Sequence, residues 1–334
     1  MTHKTHQKSK QRRPKTMNEI TPIFKKAIPC GNGITPDLMD RFLRFLDASP
    51  KTIATYTRAL RQMIRYLISR EKRYPTREDL IEWREGLKAD HKPATIQAYI
   101  AVARLFFRWT AQEGIYPNIA DHIKSVRLDY GHKKDALTAE QVQIILKKMR
   151  RETVTNKRDF AIFCLMVNCA LRDIEISRAN IEDLRPVGGA PALYIQGKGH
   201  TERGEYVKMD AITESIIRDY LAARQPESES EPLFVSFSNN SAGGRLSTRS
   251  ISGIIKNIFR NAGYDSPRLT AHSLRHTGIT IAAQTLEIKE VSKYARHKKI
   301  ETTMIYYHEL DRAANRCGAV VGNAIYGGYE KCIK

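Results

Sequence analysis

One short segment of the chain reads Thr270-Ala271-His272-Ser273-Leu274-Arg275-His276-Thr277. On a helix, its two histidines and its arginine are three and four positions apart and therefore share one face. Imidazole and guanidinium groups together favour an oxyanion. A metal role for the two histidines is an alternative, although no acidic ligand lies at a matching spacing. Such a short segment can also be a chance match.

A second segment lies upstream and reads Ala170-Leu171-Arg172-Asp173-Ile174-Glu175. It follows an apolar run, which predicts a long helix over residues 160–171 and a short helix that starts at Arg172. An arginine directly after an apolar helix lies near a core and must find an acceptor there. The structural interpretation pairs Arg172 with Glu175 or another local acid, and the functional one presents it to an anion.

Two further segments complete the pattern. Residues 192–196 and 206–209 are predicted strands, and the turn signal Gly197-Lys198-Gly199 lies between them. Downstream, residues 297–308 read His297-Lys298-Lys299-Ile300-Glu301-Thr302-Thr303-Met304-Ile305-Tyr306-Tyr307-His308. Taken alone, these tyrosines fit the apolar face of an amphipathic helix equally well.

In order and spacing, the four segments resemble the tyrosine recombinases, the family of phage integrases and Xer-type resolvases. The family pattern is an Arg followed three positions later by an acid, a Lys in a hairpin turn, H-x-x-R, a His or Trp, and a Tyr nine positions further on. Each motif alone is weak, but the ordered set over residues 137–310 is specific. The matching residues are Arg172 with Glu175, Lys198, His272 with Arg275, His297 and Tyr306.

The chain departs from the family pattern at two positions. Arg296 precedes His297 where the family usually has Gly, which is expected to alter the local turn, and Ala170 stands where Gly is frequent. Tyr307 also needs to be distinguished from Tyr306. Neighbouring residues of a helix point about 100° apart, so only one of the two can face a phosphate. The spacing from His297 favours Tyr306.

The resemblance implies a metal- and ATP-independent transesterification through a 3′-phosphotyrosine intermediate, with no cofactor. The two arginines would hold the nonbridging phosphate oxygens, and the two histidines would donate hydrogen bonds or shuttle protons. The lysine would protonate the leaving 5′ oxygen. The implied catalytic residues are Arg172, Lys198, His272, Arg275, His297 and the nucleophile Tyr306.

The N-terminal part of the chain has helical periodicity, with helices that start near Pro36, Thr52, Thr76 and Pro93. The second of them carries Arg58, Arg61 and Arg65 opposite its apolar face. This part resembles the core-binding domain of the family, and the alternative is any small helical bundle with a solvated basic face. The predicted fold class is mainly α: a SAM-like core-binding domain and a mostly helical catalytic domain with a small β-sheet, which together clamp DNA.

Five regions follow from these patterns. The N-terminal tail is basic, and a flexible extension and a DNA-contacting arm are equally good interpretations of it. The C-terminal tail is apolar enough to dock, which the resemblance places on a neighbouring protomer and the alternative places on its own chain. The boundaries are 1–33 for the tail, 34–128 for the core-binding domain, 129–136 for a linker, 137–310 for the catalytic domain and 311–334 for the C-terminal tail.

Charge and composition agree with a partner that is nucleic acid. The 334 residues contain 56 Lys and Arg against 36 Asp and Glu, for a net charge of +20, which favours a polyanion, although a merely basic protein is the alternative. The five cysteines form no CxxC pair, no apolar stretch approaches the roughly 18 residues of a membrane span, and the N-terminus has no secretory h-region. A prokaryotic, nucleoid-associated location in the cytoplasm is expected.

The predicted function is site-specific DNA recombination, either the integration and excision of a mobile element or Xer-like resolution. The expected partners are double-stranded DNA, three further copies of the chain in a homotetramer on two sites, and accessory DNA-bending proteins; no membrane is expected. Two alternatives remain. One is DNA relaxation of the topoisomerase IB type, which shares the attack chemistry. The other is a catalytically silent DNA-binding protein, against which the complete set of six residues argues.

Overall fold

The computed structural model describes residues 33–127, 135–197, 203–239 and 241–326. The chain divides into two compact units, Met1–Tyr130 and Gly131–Lys334. The predicted N-terminal tail, apart from Gly33, lies outside the described residues, and so does most of the predicted linker 129–136. Lys198 is also outside them.

The first unit is a bundle of helices, and polar side chains cap the first turns of several of them. Thr35 accepts a hydrogen bond from the backbone N–H of Leu38, and Thr76 forms a capping box with Asp79. Its core holds aromatic and aliphatic side chains from every helix, among them Phe42, Leu60, Trp83, Phe106 and Phe107. The helices are α1 (Pro36–Phe45), α2 (Pro50–Ser69), α3 (Arg77–Gly86) and α4 (Pro93–Gln112).

The second helix begins earlier than the sequence pattern indicated. The cap is Ser49, whose side chain accepts from the backbone N–H of Thr52, and Pro50 occupies the first helical position. Proline suits this position because its missing N–H would have no helical partner there. The apolar periodicity starts only at Ile53, which is why it pointed to Thr52.

The described part of the second unit is mostly helical, with one two-stranded antiparallel sheet. In the sheet, Ala192 pairs with Lys208 and Ile195 with Glu205. The elements are α5 (Ala139–Lys148), α6 (Val154–Asn168), α7 (Asp173–Arg178), β1 (Ala192–Ile195), β2 (Glu205–Lys208), α8 (Ala211–Arg224), α9 (Thr248–Asn261), α10 (Ala271–Ala283), α11 (Ile288–Ala295), α12 (Glu301–Ala314) and α13 (Cys317–Tyr326).

The apolar run before Arg172 is a helix whose two ends both differ from the predicted range 160–171, since it already starts at Val154, after the cap Thr153. Helix α6 stops at Asn168, and Ala170 adopts the left-handed backbone conformation with φ +46°. The chain therefore turns before Leu171, which is buried in the core of the unit. This turn brings the carbonyl of Ala170 and the start of α7 toward α10 and α11.

The last described helix, α13, is apolar and contains no buried residue. Its Val320, Val321, Ile325 and Tyr326 are each more than half exposed. Among the helices of the described residues, none combines the length and the apolar character that crossing a membrane requires.

Candidate active site

Five of the six predicted site residues lie in the described part of the second unit. Arg172 is the N-cap of α7, His272 and Arg275 lie on α10, His297 follows α11, and Tyr306 lies on α12. The sixth, Lys198, lies outside the described residues. The hairpin strands β1 and β2 flank it in sequence, and Arg178 of α7 donates to the carbonyl of Gly197 at 3.1 Å.

Aromatic rings connect α10 with α12 through His276, which the sequence pattern places on one helix face with His272 but which is not among the six predicted site residues. The ring of His276 lies 5.3 Å from that of His272 and 5.2 Å from that of Tyr306. The ring of His297 is stacked 6.2 Å from Tyr306 on an interplanar angle of 22°. His276 is buried, and the i, i+4 spacing from His272 was the available signal for its place in the cluster.

Arg275 is the most deeply buried cation of the cluster, with only 2% of its surface exposed. Its Nη1 donates to the carbonyl of Ala170 and its Nη2 to the carbonyl of Ala295. Burial, followed by the positive charges of Arg172 and Arg296, lowers the pKa of Arg275 to about 9. Among the described residues, the three guanidiniums have one ion-paired carboxylate between them, Glu175, so the cluster favours a further anion.

Arg172 pairs with Glu175, as the structural interpretation of its position predicts, and its presentation to an anion stays a prediction. Its Nη1 lies 2.7 Å from Oε1 of the fully buried Glu175, and its backbone N–H donates to Oε2 at 2.9 Å. The side chain is still 31% exposed. The ion pair therefore fixes one side of the guanidinium and leaves other donors accessible to a ligand.

Arg296 keeps the turn that Gly would form, contrary to the expectation of an altered turn. It adopts φ +52°, its N–H donates to the Lys293 carbonyl at 3.0 Å, and the N–H of His297 donates to the Ser292 carbonyl at 3.1 Å. This pair of bonds is the Schellman motif, which usually has Gly at the left-handed position. The position of His297 is fixed further by a 2.8 Å hydrogen bond between its Nδ1 and Oγ1 of the buried Thr303.

The adjacent tyrosines of α12 have different surroundings. Tyr306 is 5% exposed, and burial raises its pKa to about 12, although the charges of Arg275 and Arg172 act to lower it. Tyr307 instead donates from its hydroxyl to the carbonyl of Leu286 at 2.5 Å, and burial with Glu287 and Glu290 raises its pKa. Of the two, Tyr306 is the one that the arginines influence.

A stability prediction follows from Glu175. Burial alone would raise its pKa, but Arg296 and Arg172 outweigh that effect and hold the pKa below 4.5. We expect Glu175→Gln to reduce the free energy of unfolding by roughly 3 kcal/mol at pH 7, because two guanidiniums lose a buried partner. Chemical denaturation measures this loss.

The pH dependence of stability and a matched variant both test the contribution of Glu175 to the free energy of unfolding. Because the folded-state pKa of Glu175 lies below its ordinary value of 4.5, its contribution is complete at neutral pH and is lost as the pH falls through the folded pKa. The difference between the variant and the wild type should therefore shrink in acid. Glu214→Gln breaks an ion pair with the 73% exposed Arg218 and should change little. Equal losses for both variants would contradict the prediction.

Comparisons with known proteins show the family of the chain. The model of the phage integrase family matches residues 135–312, and that of the phage integrase N-terminal SAM-like domain matches residues 39–114. A tyrosine recombinase of Synechocystis sp. is 25% identical over 82% of this chain and 91% of that protein. Tyrosine recombinase XerD of Listeria innocua is 25% identical over 81% of this chain and 94% of that protein.

Solved structures share the fold. The XerH site-specific recombinase bound to palindromic difH substrate, in a post-cleavage complex, has a TM-score of 0.67 at 20% identity and covers 83% of each chain. A lambda integrase dimer bound to a COC′ core site has a TM-score of 0.61 at 15% identity over 79% of this chain and 95% of that one. The predicted fold class, mainly α with a SAM-like first domain and a small sheet in the second, is confirmed.

Proposed function

Because the chain belongs to the phage integrase family, we propose that it recombines DNA at specific sites with Tyr306 as the nucleophile. Site-specific recombination is the activity that its recombinase relatives support, and DNA relaxation of the topoisomerase type is not favoured. The observation that carries the assignment of Tyr306 is its burial beside Arg275, Arg172 and His297 in one cluster.

The proposed reaction is a transesterification. The Tyr306 hydroxyl attacks phosphorus, the new phosphotyrosine bond forms, and the bond from phosphorus to the 5′ oxygen breaks. The negative charge grows on the nonbridging oxygens during attack, and the guanidiniums of Arg172 and Arg275 stabilise it there. A free 5′ hydroxyl reverses the step, because the phosphotyrosine conserves the bond energy.

Two proton transfers accompany the reaction: the Tyr306 hydroxyl loses a proton, and the leaving 5′ oxygen gains one. With a pKa of about 12, the Tyr306 hydroxyl is neutral before attack, so its proton must leave as the new bond forms. His272 and His297 are the proposed proton carriers, since imidazoles exchange protons near neutral pH. Lys198 is proposed to protonate the leaving 5′ oxygen, as the family pattern implies.

Independence from metal and ATP is part of this proposal. Guanidinium groups supply the positive charge that a bound metal would otherwise supply, and the phosphotyrosine stores the energy for religation. Within the described residues, no three His, Cys, Asp or Glu side chains are grouped as a metal site. Cleavage in EDTA without nucleotide should match cleavage in magnesium with ATP, and a requirement for either would refute this part.

A plasmid assay tests the function as a whole. The chain is incubated with a supercoiled plasmid that carries two copies of the DNA flanking its own gene, and with the same plasmid without them. A site-specific recombinase gives deletion or inversion products only with the flanking DNA. Relaxed circles from both plasmids, without recombinants, would instead identify a relaxing enzyme.

The first unit is proposed to bind DNA through α2. Its Arg58, Arg61 and Arg65 are exposed at helical spacing and line a groove of about 580 Å³, together with Gln62 and His91. The net charge of +20 supports the same partner. Groups of this kind bind phosphates and give affinity without base specificity.

Salt dependence tests this DNA-binding surface. Arg61→Ala should reduce the slope of log Kd against log salt by about 1, because one phosphate contact is lost. Arg84→Ala is the matched control, since its guanidinium already donates to the Lys124 carbonyl at 2.9 Å and pairs with Glu85 at 2.7 Å. Fluorescence anisotropy on duplex DNA at several salt concentrations gives both slopes. Equal slopes for Arg61→Ala and the wild type would exclude this contact.

Assembly into a homotetramer on two DNA sites is also proposed, with accessory DNA-bending proteins where the sites require them. The exposed apolar side chains of α13 support packing of this helix on a neighbouring protomer. Removal of residues 315–334 should then abolish the paired-site complex on a native gel while single-site binding remains. A paired complex of unchanged stability would contradict docking between protomers.

A further inference from the structure

Arg296 fills a buried position inside the candidate site, with a side chain only 8% exposed. Its Nη2 donates to Oε2 of Glu175 at 2.9 Å and to the Ala170 carbonyl at 3.1 Å. Its Nη1 donates to the carbonyls of Cys169 at 3.2 Å and Tyr294 at 3.1 Å. These acceptors belong to the segment after α6, to α7 and to α11, which the guanidinium holds together.

Two of these acceptors also accept hydrogen bonds from Arg172 and Arg275, the two arginines that are proposed to bind the phosphate. Glu175 holds Arg172 through the 2.7 Å pair between Oε1 and Nη1. The Ala170 carbonyl accepts from Nη1 of Arg275 as well as from Arg296. The Arg296 guanidinium therefore contacts both Glu175 and the Ala170 carbonyl. Glu175 keeps its bond to Arg172, and the carbonyl keeps its bond to Arg275.

The turn itself does not need an arginine at this position. A side chain at φ +52° is less favourable than Gly, and Nε of Arg296 is buried without a hydrogen-bond partner in the structure. Gly would form the same Schellman turn without either penalty. The benefit of Arg296 must therefore come from the contacts of its side chain.

We propose that Arg296 is a positioning residue, which holds Glu175 and the Ala170 carbonyl so that Arg172 and Arg275 keep the geometry needed for the scissile phosphate. The inference rests on the proposed roles of those two arginines. Arg296 acts through Glu175 and the Ala170 carbonyl, since both of its Nη atoms donate to protein acceptors.

Arg296→Gly separates the side chain from the backbone. The variant keeps the turn and relieves the left-handed strain, but loses all four side-chain hydrogen bonds. We expect single-turnover formation of the covalent adduct to slow by about 10²-fold, as a small misplacement of catalytic groups does. The Kd for duplex DNA should stay within about threefold, because the accessible cations are unchanged. Arg296→Lys keeps the positive charge but lacks the planar guanidinium group. Its rate of adduct formation should therefore lie between those of the wild type and Arg296→Gly.

The pH profile of adduct formation is the readout that a purely structural role would not move. The charged groups that act on Glu175 are Arg172 at the start of α7, Arg296 after α11 and Arg275 on α10. Without Arg296, burial raises the pKa of Glu175 toward neutral pH, and the protonated acid holds Arg172 less firmly. The acid limb of the profile should therefore shift to higher pH in Arg296→Gly. Adding Glu175→Gln to that variant should slow the reaction little further, because both substitutions disrupt one network.

A second buried arginine provides the matched control. Arg158 has a side chain 7% exposed, pairs with Asp159 at 2.7 Å and donates to the Val235 carbonyl at 2.9 Å. Arg158→Gln should lower the melting temperature while leaving the rate and the acid limb of adduct formation unchanged.

The outcomes are distinguishable. If the wild type forms no adduct on a nicked site, the proposed function fails whatever Arg296 does. If the wild type forms adduct and Arg296→Gly reacts at the same rate with the same acid limb, the positioning role is overturned. If Arg296→Gly does not fold, Arg296→Lys decides, and a wild-type rate and acid limb in a folded Lys variant overturn the role equally.

Discussion

Tyr306→Phe is expected to abolish the covalent protein–DNA adduct, with a fall in rate of more than about 10³-fold, because no other group replaces a lost nucleophile efficiently. The substrate is a duplex with a nick close to the cleavage point. Cleavage then releases a short fragment with the free 5′ hydroxyl, which diffuses away, so the step is not reversed and the adduct accumulates. Denaturing gel electrophoresis then separates free protein from protein joined to DNA. Binding of the intact duplex should be unchanged, since the hydroxyl acts in the chemical step.

Tyr307→Phe is the matched control for this substitution. It removes one hydroxyl from the same helix, and the lost hydrogen bond to the Leu286 carbonyl should reduce stability by about 1 kcal/mol. Adduct formation should remain within a few-fold of the wild type. If Tyr307→Phe were the inactive variant, the assignment of the nucleophile would be wrong. If both variants formed adduct, neither hydroxyl would be the nucleophile.

Capping chemistry explains why several helix starts were predictable. Thr35, Thr76 and Thr138 each accept a backbone hydrogen bond at the first turn of a helix, and such polar caps before an apolar pattern are visible in the sequence. The start of α2 was missed because the pattern begins after its first turn, and Ser49 before Pro50 was the available signal.

The end of α6 could not be derived from periodicity. The apolar run continues through Leu171, and an alanine at position 170 gives no sequence signal for a positive φ. Tertiary contacts hold that conformation, since the Ala170 carbonyl accepts from both Arg275 and Arg296, which lie more than a hundred residues away in sequence. Local helix propensity carries no information about such distant donors.

The same limit applies to the candidate site. The pair of Arg172 and Glu175 was open to prediction because an i, i+3 spacing across a helix start brings the two side chains together. Arg296 was visible only as a missing Gly, because its partner Glu175 is 121 positions away. A buried carboxylate that faces two guanidiniums emerges only when α7, α10 and α11 are packed together.

Arg172→Ala is expected to slow adduct formation by about 10²–10³-fold, as the loss of one donor to a developing oxyanion does. Its guanidinium is held by Glu175 on one side and is 31% exposed, and its remaining donors are proposed to contact the nonbridging oxygens. The charge on those oxygens grows during attack, and the interaction is therefore stronger in the transition state than in the bound DNA. Because many other cations contribute to the net charge of +20, the Kd for duplex DNA should rise only a few-fold.

Two companion variants define what Arg172 contributes. Arg172→Lys keeps a positive charge but loses the planar pair of donors, so its rate should recover only in part. Arg218→Ala removes one charge from an arginine of α8 that is 73% exposed, and it should leave the rate of adduct formation unchanged. Single-turnover rates at saturating DNA, measured beside Kd for each variant, separate chemistry from binding. Near-complete loss of DNA affinity in Arg172→Ala, with an unchanged rate once DNA is saturating, would contradict a role in the transition state.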